Sequence, residues 1–189
     1  MSKKPVAAGK SSFDLIRRED FFSNIDIDQD AQILDAACGI GLYSIEISKL
    51  LNENGLIHAV DFWGGGIELL NQAIREQGIS NVSPIQADIT EHIPLESGSI
   101  DLSLMATILH DLSATEQDAT LKEIARVLNP EGTLALIEFK KIDKGPGPPI
   151  TIRISPEEAE EKIAAYGFTL IRHAEIGDFN YLLNFRKTA

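Results

Sequence analysis

The chain has 189 residues, 17 basic and 29 acidic, for a formal net charge of −12. Such a balance argues against duplex DNA or RNA as a broad partner, since phosphates call for a basic stripe, and against an anionic membrane surface. With 43% hydrophobic and 24% charged residues, it reads as one globular domain with a single well-buried core. A lone cysteine, Cys38, excludes an internal disulfide, and without a cluster of soft metal ligands no metal is expected. Met1 to Ser12 reads as a flexible polar tail lacking the apolar stretch of a signal peptide. No run approaches the roughly 20 apolar residues of a membrane helix. The expectation is a soluble, cytoplasmic monomer or homodimer.

In chain order, Phe13 to Phe22 has the pattern of a short amphipathic lead-in helix, within a lead-in segment of residues 13–30. Ala31 to Ala37 (AQILDAA) is an apolar strand that runs into a glycine-bearing turn. Leu42 to Asn52 is apolar on too many faces for a surface helix and should be buried, with Gly55 ending it in a left-handed conformation. Leu56 to Asp61 is the second strand, followed by a helix carrying Ile67, Leu70, Ala73 and Ile74 and stopped by Gly78. Val82 to Ala87 and Ile100 to Met105 give two more strands. Ser113 with Glu116 is a capping-box signal for a helix to Leu128, and Asn129 to Gly132 turns into the strand Thr133 to Phe139. Ser155-Pro156-Glu157-Glu158 starts another helix in the same way. The last strands, Thr169 to Ile176 and Tyr181 to Arg186, are too closely joined for a helical crossover and must be antiparallel. The alternation predicts an α/β, doubly wound, Rossmann-like sheet of seven mostly parallel strands, with one antiparallel strand near the edge.

Ligands of open α/β sheets lie beyond the carboxyl ends of the strands, where the strand order reverses. Those ends read Asp35-Ala-Ala-Cys-Gly39-Ile-Gly41, Asp61-Phe-Trp, Asp88-Ile, Met105-Ala-Thr-Ile-Leu-His110 and Glu138. Gly39 and Gly41 let the backbone approach a ligand closely. Asp61 follows Gly41 by 20 residues, the spacing at which an acidic side chain takes ribose hydroxyls. A nicotinamide dinucleotide would place its pyrophosphate at the turn, against the Asp35 carboxylate, and Ser44 stands where its fingerprint has Gly or Ala. S-adenosyl-L-methionine carries no phosphate but has a sulfonium and an ammonium, which carboxylates favour, more so where water is excluded.

On these residues the sequence resembles the class I S-adenosylmethionine-dependent methyltransferases, closest to the small-molecule, quinone-biosynthesis-like branch. The segments that carry the resemblance are ILDAACGIG (Ile33 to Gly41), AVD (Ala59 to Asp61), QAD (Gln86 to Asp88), IDLSLMATILHDL (Ile100 to Leu112) and RVLNPEGTLALIEF (Arg126 to Phe139). The resemblance implies that Gly39 and Gly41, with Ala37 and Cys38 in the same turn, line the methionine moiety and that Asp35 faces its ammonium. It implies that Asp61 takes the ribose hydroxyls, Phe62 packs on the adenine, Asp88 binds the adenine amino group and the Ile89 backbone a ring nitrogen. Met105 and Ala106 would form the floor under the sulfonium. Ala37 stands where many members have glycine, and the run Gly64-Gly65-Gly66 either brings a helix start close to the ribose or is a plain turn.

His110 is the candidate catalytic residue. It either meets the methionine end or acts as a general base, with Asp111 as a possible orienter, or it ties a loop to the helix capped by Ser113. Cys38 reads as a small packed residue rather than a reactive thiol, and Asp101, at the far end of its strand, as structural. The Pro- and Gly-rich stretch within 140–154 is either a lid, with Arg153 or Lys141 meeting an anionic substrate, or a crossover connection. The expected activity is methyl transfer from S-adenosyl-L-methionine to a small-molecule acceptor, with S-adenosyl-L-homocysteine as product. The alternatives are an NAD(P)-dependent oxidoreductase on a related sheet and a non-catalytic cofactor-binding protein.

Overall fold

A computed structural model describes residues 9–188. The expected flexible tail falls largely on residues 1–8, outside the described residues. Strands β1 (Gln32–Ala36), β2 (Leu56–Asp61), β3 (Val82–Gln86), β4 (Ile100–Ala106), β5 (Leu128–Phe139), β6 (Phe168–Glu175) and β7 (Asn180–Lys187) form one sheet. Their order is β3-β2-β1-β4-β5-β7-β6. The first five strands pair in parallel, and β7 runs antiparallel to both β5 and β6, one place in from the edge, as expected. The strand order reverses between β1 and β4, which puts the switch point at Ala36 and Ala106.

Helices α1 (Arg18–Asn24), α2 (Leu42–Ser48), α3 (Gly64–Gln77), α4 (Ala114–Val127) and α5 (Pro156–Ala164) cover both faces. Phe21, Tyr43, Ile47 and Leu70 bring α1, α2 and α3 to one face. Leu121, Ile124, Val127, Ala159 and Ile163 bring α4 and α5 to the other. Because helices shield both sides, the central strands are mostly buried along their length rather than alternating. Both predicted capping boxes form: Glu116 accepts from the Ser113 amide at 2.7 Å, and Glu158 from that of Ser155 at 2.7 Å.

Three local expectations change. The lead-in segment is a 3-10 turn, Ser12–Asp14, followed by the short α1, because the Arg17 amide leaves the helix to donate to the Ile176 carbonyl at 2.6 Å. Helix α2 stops at Ser48, short of Asn52. Gly55 is absent from the left-handed glycines, and its role is close approach instead: a Cβ there would lie 2.5 Å from the Gln29 carbonyl oxygen. Residues 129–132 do loop out, since Leu128 pairs with Ile100 and Thr133 with Leu102, but within the span of β5.

Candidate functional site

β1 delivers Asp35 and Ala36 to the switch point, and Ala37 to Gly41 then turn the chain into α2. Three residues of that turn adopt left-handed φ angles: Ala37 at 61°, Gly39 at 59° and Gly41 at 74°. Alanine in this conformation is strained by about 1–2 kcal/mol, so the Ala37 replacement has an energetic cost. Gly39 faces open space, with nothing within 4 Å of where a Cβ would sit. The other side of the turn is tightly packed. A Cβ on Gly41 would meet the Leu70 side chain at 2.4 Å, and one on Gly66 would meet the Gly39 carbonyl oxygen at 2.5 Å. The glycine run thus forms the first turn of α3, and Gly66 brings the helix backbone against the cofactor-type turn.

Asp35 and Asp61 flank this turn from successive strand ends, and a third carboxylate, Asp88 after β3, acts electrostatically on Asp61. Asp35 is 2% exposed, and its Oδ2 accepts from the Ser44 hydroxyl at 2.5 Å. Burial pushes the Asp35 pKa up to about 6; the Ser44 bond opposes this and the Asp61 charge adds to it. Asp61 is buried as well. Its Oδ2 accepts from the Gly39 amide at 2.8 Å and its Oδ1 from the Trp63 amide at 2.8 Å, joining the β2 end to both the glycine turn and the start of α3. Burial raises its pKa, the two amides hold it down, and Asp88 pushes it up. Asp88 Oδ1 accepts from the Thr90 amide at 2.9 Å and hydroxyl at 2.7 Å. A cation placed among these groups relieves a strain that each imposes on the next.

The other candidates fall around the same crevice. Phe62 is 44% exposed beside Asp61, an uncovered aromatic ring next to the carboxylate. Ile89 is buried behind Asp88, and Met105 lies fully buried at the end of β4 with Ala106 partly open beyond it. Burial, then the Asp35 and Asp61 charges, raise the Cys38 thiol well above its ordinary value, which disfavours the thiolate. Asp101 is structural, accepting from the Gln32 amide at 2.7 Å and the Asn129 side chain at 2.6 Å. Thr107, the next residue after β4, is a β-branched side chain at φ 54°, a strained conformation at the switch point. Its hydroxyl lies 3.2 Å from Ser12 Oγ, which is 3.0 Å from the Tyr43 hydroxyl, so the lead-in segment is tied down over the crevice.

His110 lies on the 3-10 turn Leu109–Asp111 after β4, held by Gln117 of α4, which donates to the carbonyls of Leu109 and Leu112. Its side chain is 4% exposed, and its Nδ1 is 2.6 Å from Oε2 of Glu138, a fully buried residue of β5. The orienting residue is therefore Glu138, read from the sequence as a strand end but given no role; Asp111 approaches only Nε2, at 3.5 Å. A charged residue within the apolar run LALIEF was the available signal.

Arg153 and Lys141 both engage groups of the chain itself. The Arg153 guanidinium, 5% exposed, donates to the carbonyls of Lys140, Ile142, Pro146 and Pro148 at 2.9–3.0 Å, so the 140–149 segment wraps around it. Lys141 pairs with Glu158 at 2.7 Å. Open clefts flank this segment, one of about 480 Å³ beside Lys144 and Phe179 and one of about 600 Å³ beside Ile152. Neither reaches the carboxylate crevice. No group of three or more metal-type ligands occurs among the described residues, and no described helix is long and apolar enough to cross a membrane.

With this geometry in place, a family model described as a methyltransferase domain matches residues 33–132, more than half of the chain. The chain belongs to the methyltransferase domain family. The ubiquinone/menaquinone biosynthesis C-methyltransferase UbiE of Haemophilus ducreyi is 31% identical over 111 residues, 58% of this chain and 42% of that protein. A demethylmenaquinone methyltransferase of Lactobacillus johnsonii is 26% identical over 165 residues, 87% of this chain and 64% of that protein. The chain thus spans about half the length of the curated relatives it matches. A crystal structure of a SAM dependent methyltransferase from Aquifex aeolicus shares the fold, with TM-score 0.85, 24% identity and coverage of 98% and 95% of the two chains.

The crevice fits the S-adenosyl-L-methionine that the sequence resemblance implies. The open face of Gly39 accommodates a ligand, the three carboxylates suit a cationic one, and Phe62 offers a ring to a base. A dinucleotide would set its phosphates against Asp35 and Asp61, so the oxidoreductase alternative is not favoured.

Proposed function

We propose that this protein moves a methyl group from S-adenosyl-L-methionine to a small-molecule acceptor in the cytoplasm, the acceptor being a hydroxylated ring of the quinol type. The observation that carries the reading is the pair Asp35 and Asp61 flanking a glycine turn whose Gly39 face is open, with the Asp88 charge acting on Asp61. In this reading Gly39 and Gly41, with Ala37 and Cys38, line the methionine moiety, and Asp35 holds its ammonium. Asp61 holds the ribose, Phe62 covers the adenine, Asp88 and the Ile89 backbone read its edge, and Met105 and Ala106 support the sulfur. The quinol class is suggested by the names of the two quinone-pathway relatives.

When bound, the cofactor supplies an electrophilic methyl group whose sulfonium charge disperses as the bond to sulfur breaks. What the chain itself contributes is position and exclusion of water. The glycine turn and the lead-in segment fix the site, and a well-oriented acceptor gains most of its rate from effective molarity. His110 is the base that takes a proton from an acceptor hydroxyl.

Calorimetric titration with S-adenosyl-L-homocysteine tests the cofactor reading. Wild type should bind saturably, and Phe62→Ala, whose ring is uncovered in the free protein, should bind about tenfold more weakly, consistent with ~1–3 kcal/mol for base stacking. The absence of saturable binding by wild type refutes the proposal.

A further inference from the structure

Glu138 is an acidic side chain at 0% exposure in the middle layer of the fold, and the described hydrogen bonds of its carboxylate go mainly to one residue. Its Oε2 lies 2.6 Å from His110 Nδ1 and its Oε1 accepts the His110 backbone amide at 3.2 Å; the Phe139 amide approaches Oε2 at 3.3 Å. Two points of one carboxylate therefore grip both the backbone and the ring of the same histidine. The Phe139 ring meets the imidazole edge-on at 5.8 Å and carries the Arg153 guanidinium at 5.6 Å, so the wrapped 140–149 segment braces the pair from the far side. Burying a carboxylate beside an imidazole costs desolvation that an apolar pair at these positions would avoid.

We propose that Glu138 is a positioning residue that holds His110 with its proton on Nδ1, leaving Nε2 as the base for an acceptor bearing an ionisable hydroxyl. This rests on the methyltransferase reading above. In the reaction the acceptor O–H bond breaks and its proton goes to His110 Nε2. The oxyanion, or the ring carbon conjugated to it, bonds the methyl carbon, and the electron pair of the old C–S bond stays on sulfur in the neutral thioether product. Where carbon is methylated, its ring hydrogen then leaves as a proton and one proton returns to the oxygen. A carboxylate at Nδ1 selects the tautomer and stabilises the imidazolium once Nε2 has taken the proton. An acceptor without a proton to lose would have no use for this pair.

The charged groups that face His110 are Glu138 from β5, Asp111 from its own turn and Arg153 from before α5. Burial opposes the imidazolium and Arg153 adds to that, but the Glu138 hydrogen bond and charge, with Asp111, outweigh them, and the pKa is raised. Methyl transfer should therefore gain rate as pH rises through this value, when His110 Nε2 becomes free.

Long-range ¹H–¹⁵N NMR of the full chain reads the claim without an acceptor. Neutral His110 should carry its proton on Nδ1, and Glu138→Gln should lower its pKa by at least one unit with the fold retained. A neutral form protonated on Nε2, or an unmoved pKa in Glu138→Gln, overturns the proposal. Kinetics with 1,4-dihydroxynaphthalene as the probe acceptor supply the second readout. His110→Ala should lose about 10²-fold in kcat, and Glu138→Gln should lose at least tenfold in kcat with KM little changed and the acidic limb of the profile shifted to lower pH. Wild-type kcat without a pH limb, or His110→Ala as active as wild type, overturns the dyad's role while the methyltransferase reading stands. Failure of wild type to bind S-adenosyl-L-homocysteine overturns that reading instead, and the NMR result is unaffected by it.

Discussion

Gly66→Ala places the cofactor turn under a defined stress. The new methyl would lie 2.5 Å from the Gly39 carbonyl oxygen and 2.7 Å from the Trp63 ring, where ordinary contact begins near 3.4 Å. Backbone or helix must give by roughly 0.9 Å, and overpacking of this kind costs about 1–3 kcal/mol. Replacing glycine by alanine inside a helix returns up to about 1 kcal/mol, so global stability should fall by only about 0–2 kcal/mol. The local effect should be larger in relative measure. The Gly39 amide that bonds Asp61 at 2.8 Å moves with its peptide neighbours, and losing that geometry should weaken S-adenosyl-L-homocysteine binding about tenfold or more. Gly65→Ala is the control, since its nearest neighbour, at 2.9 Å, is the end of the Trp63 side chain rather than backbone. Calorimetric titration and thermal melts on both variants give the comparison. Equal affinity in Gly66→Ala and wild type would refute the idea that this helix start shapes the site.

Ala37→Gly should stabilise the protein by about 0.5–1 kcal/mol in denaturant unfolding, because relief of left-handed strain exceeds the added freedom of the unfolded chain. Asp35 has a folded pKa of about 6 against an ordinary value of 3.8, so its charged form is penalised in the free protein. Its contribution to stability is therefore lost as pH rises from about 4 to 6, by about 3 kcal/mol, and is regained on acidification. Conversely, affinity for a cofactor ammonium should fall as pH drops below about 6, by up to tenfold per unit, and this dependence should vanish in Asp35→Asn. Arg153→Met removes the donors around which the 140–149 carbonyls are wrapped, and should destabilise the protein by about 2–4 kcal/mol and expose that segment to limited proteolysis.

What could be read from the chain followed local chemistry. The apolar strands, both capping boxes and the tight β6–β7 connection are properties of neighbouring residues, and they yielded the sheet with its reversed strand. The acidic strand ends were legible because the fold class says where strands point. Gly55 was misread because a glycine serves left-handed turns and close backbone approach alike, and only the approach of Gln29, from another segment, decides between them. Glu138 and His110 are 28 residues apart and meet because β4 and β5 are neighbours. Arg153 has the composition of a surface cation, but its carbonyl partners converge only after the Pro- and Gly-rich segment folds back. The lead-in helix was cut short by a hydrogen bond from Arg17 to the β6–β7 turn, a partner no local pattern announces.

A crystal structure of the full chain with S-adenosyl-L-homocysteine tests the central claim most directly. Ribose hydroxyls should lie on Asp61, the adenine between Phe62 and Asp88, the amino group towards Asp35, and the sulfur above Met105 and Ala106. Density for the nucleoside in either cleft beside the 140–149 segment, with the carboxylate crevice empty, would contradict it.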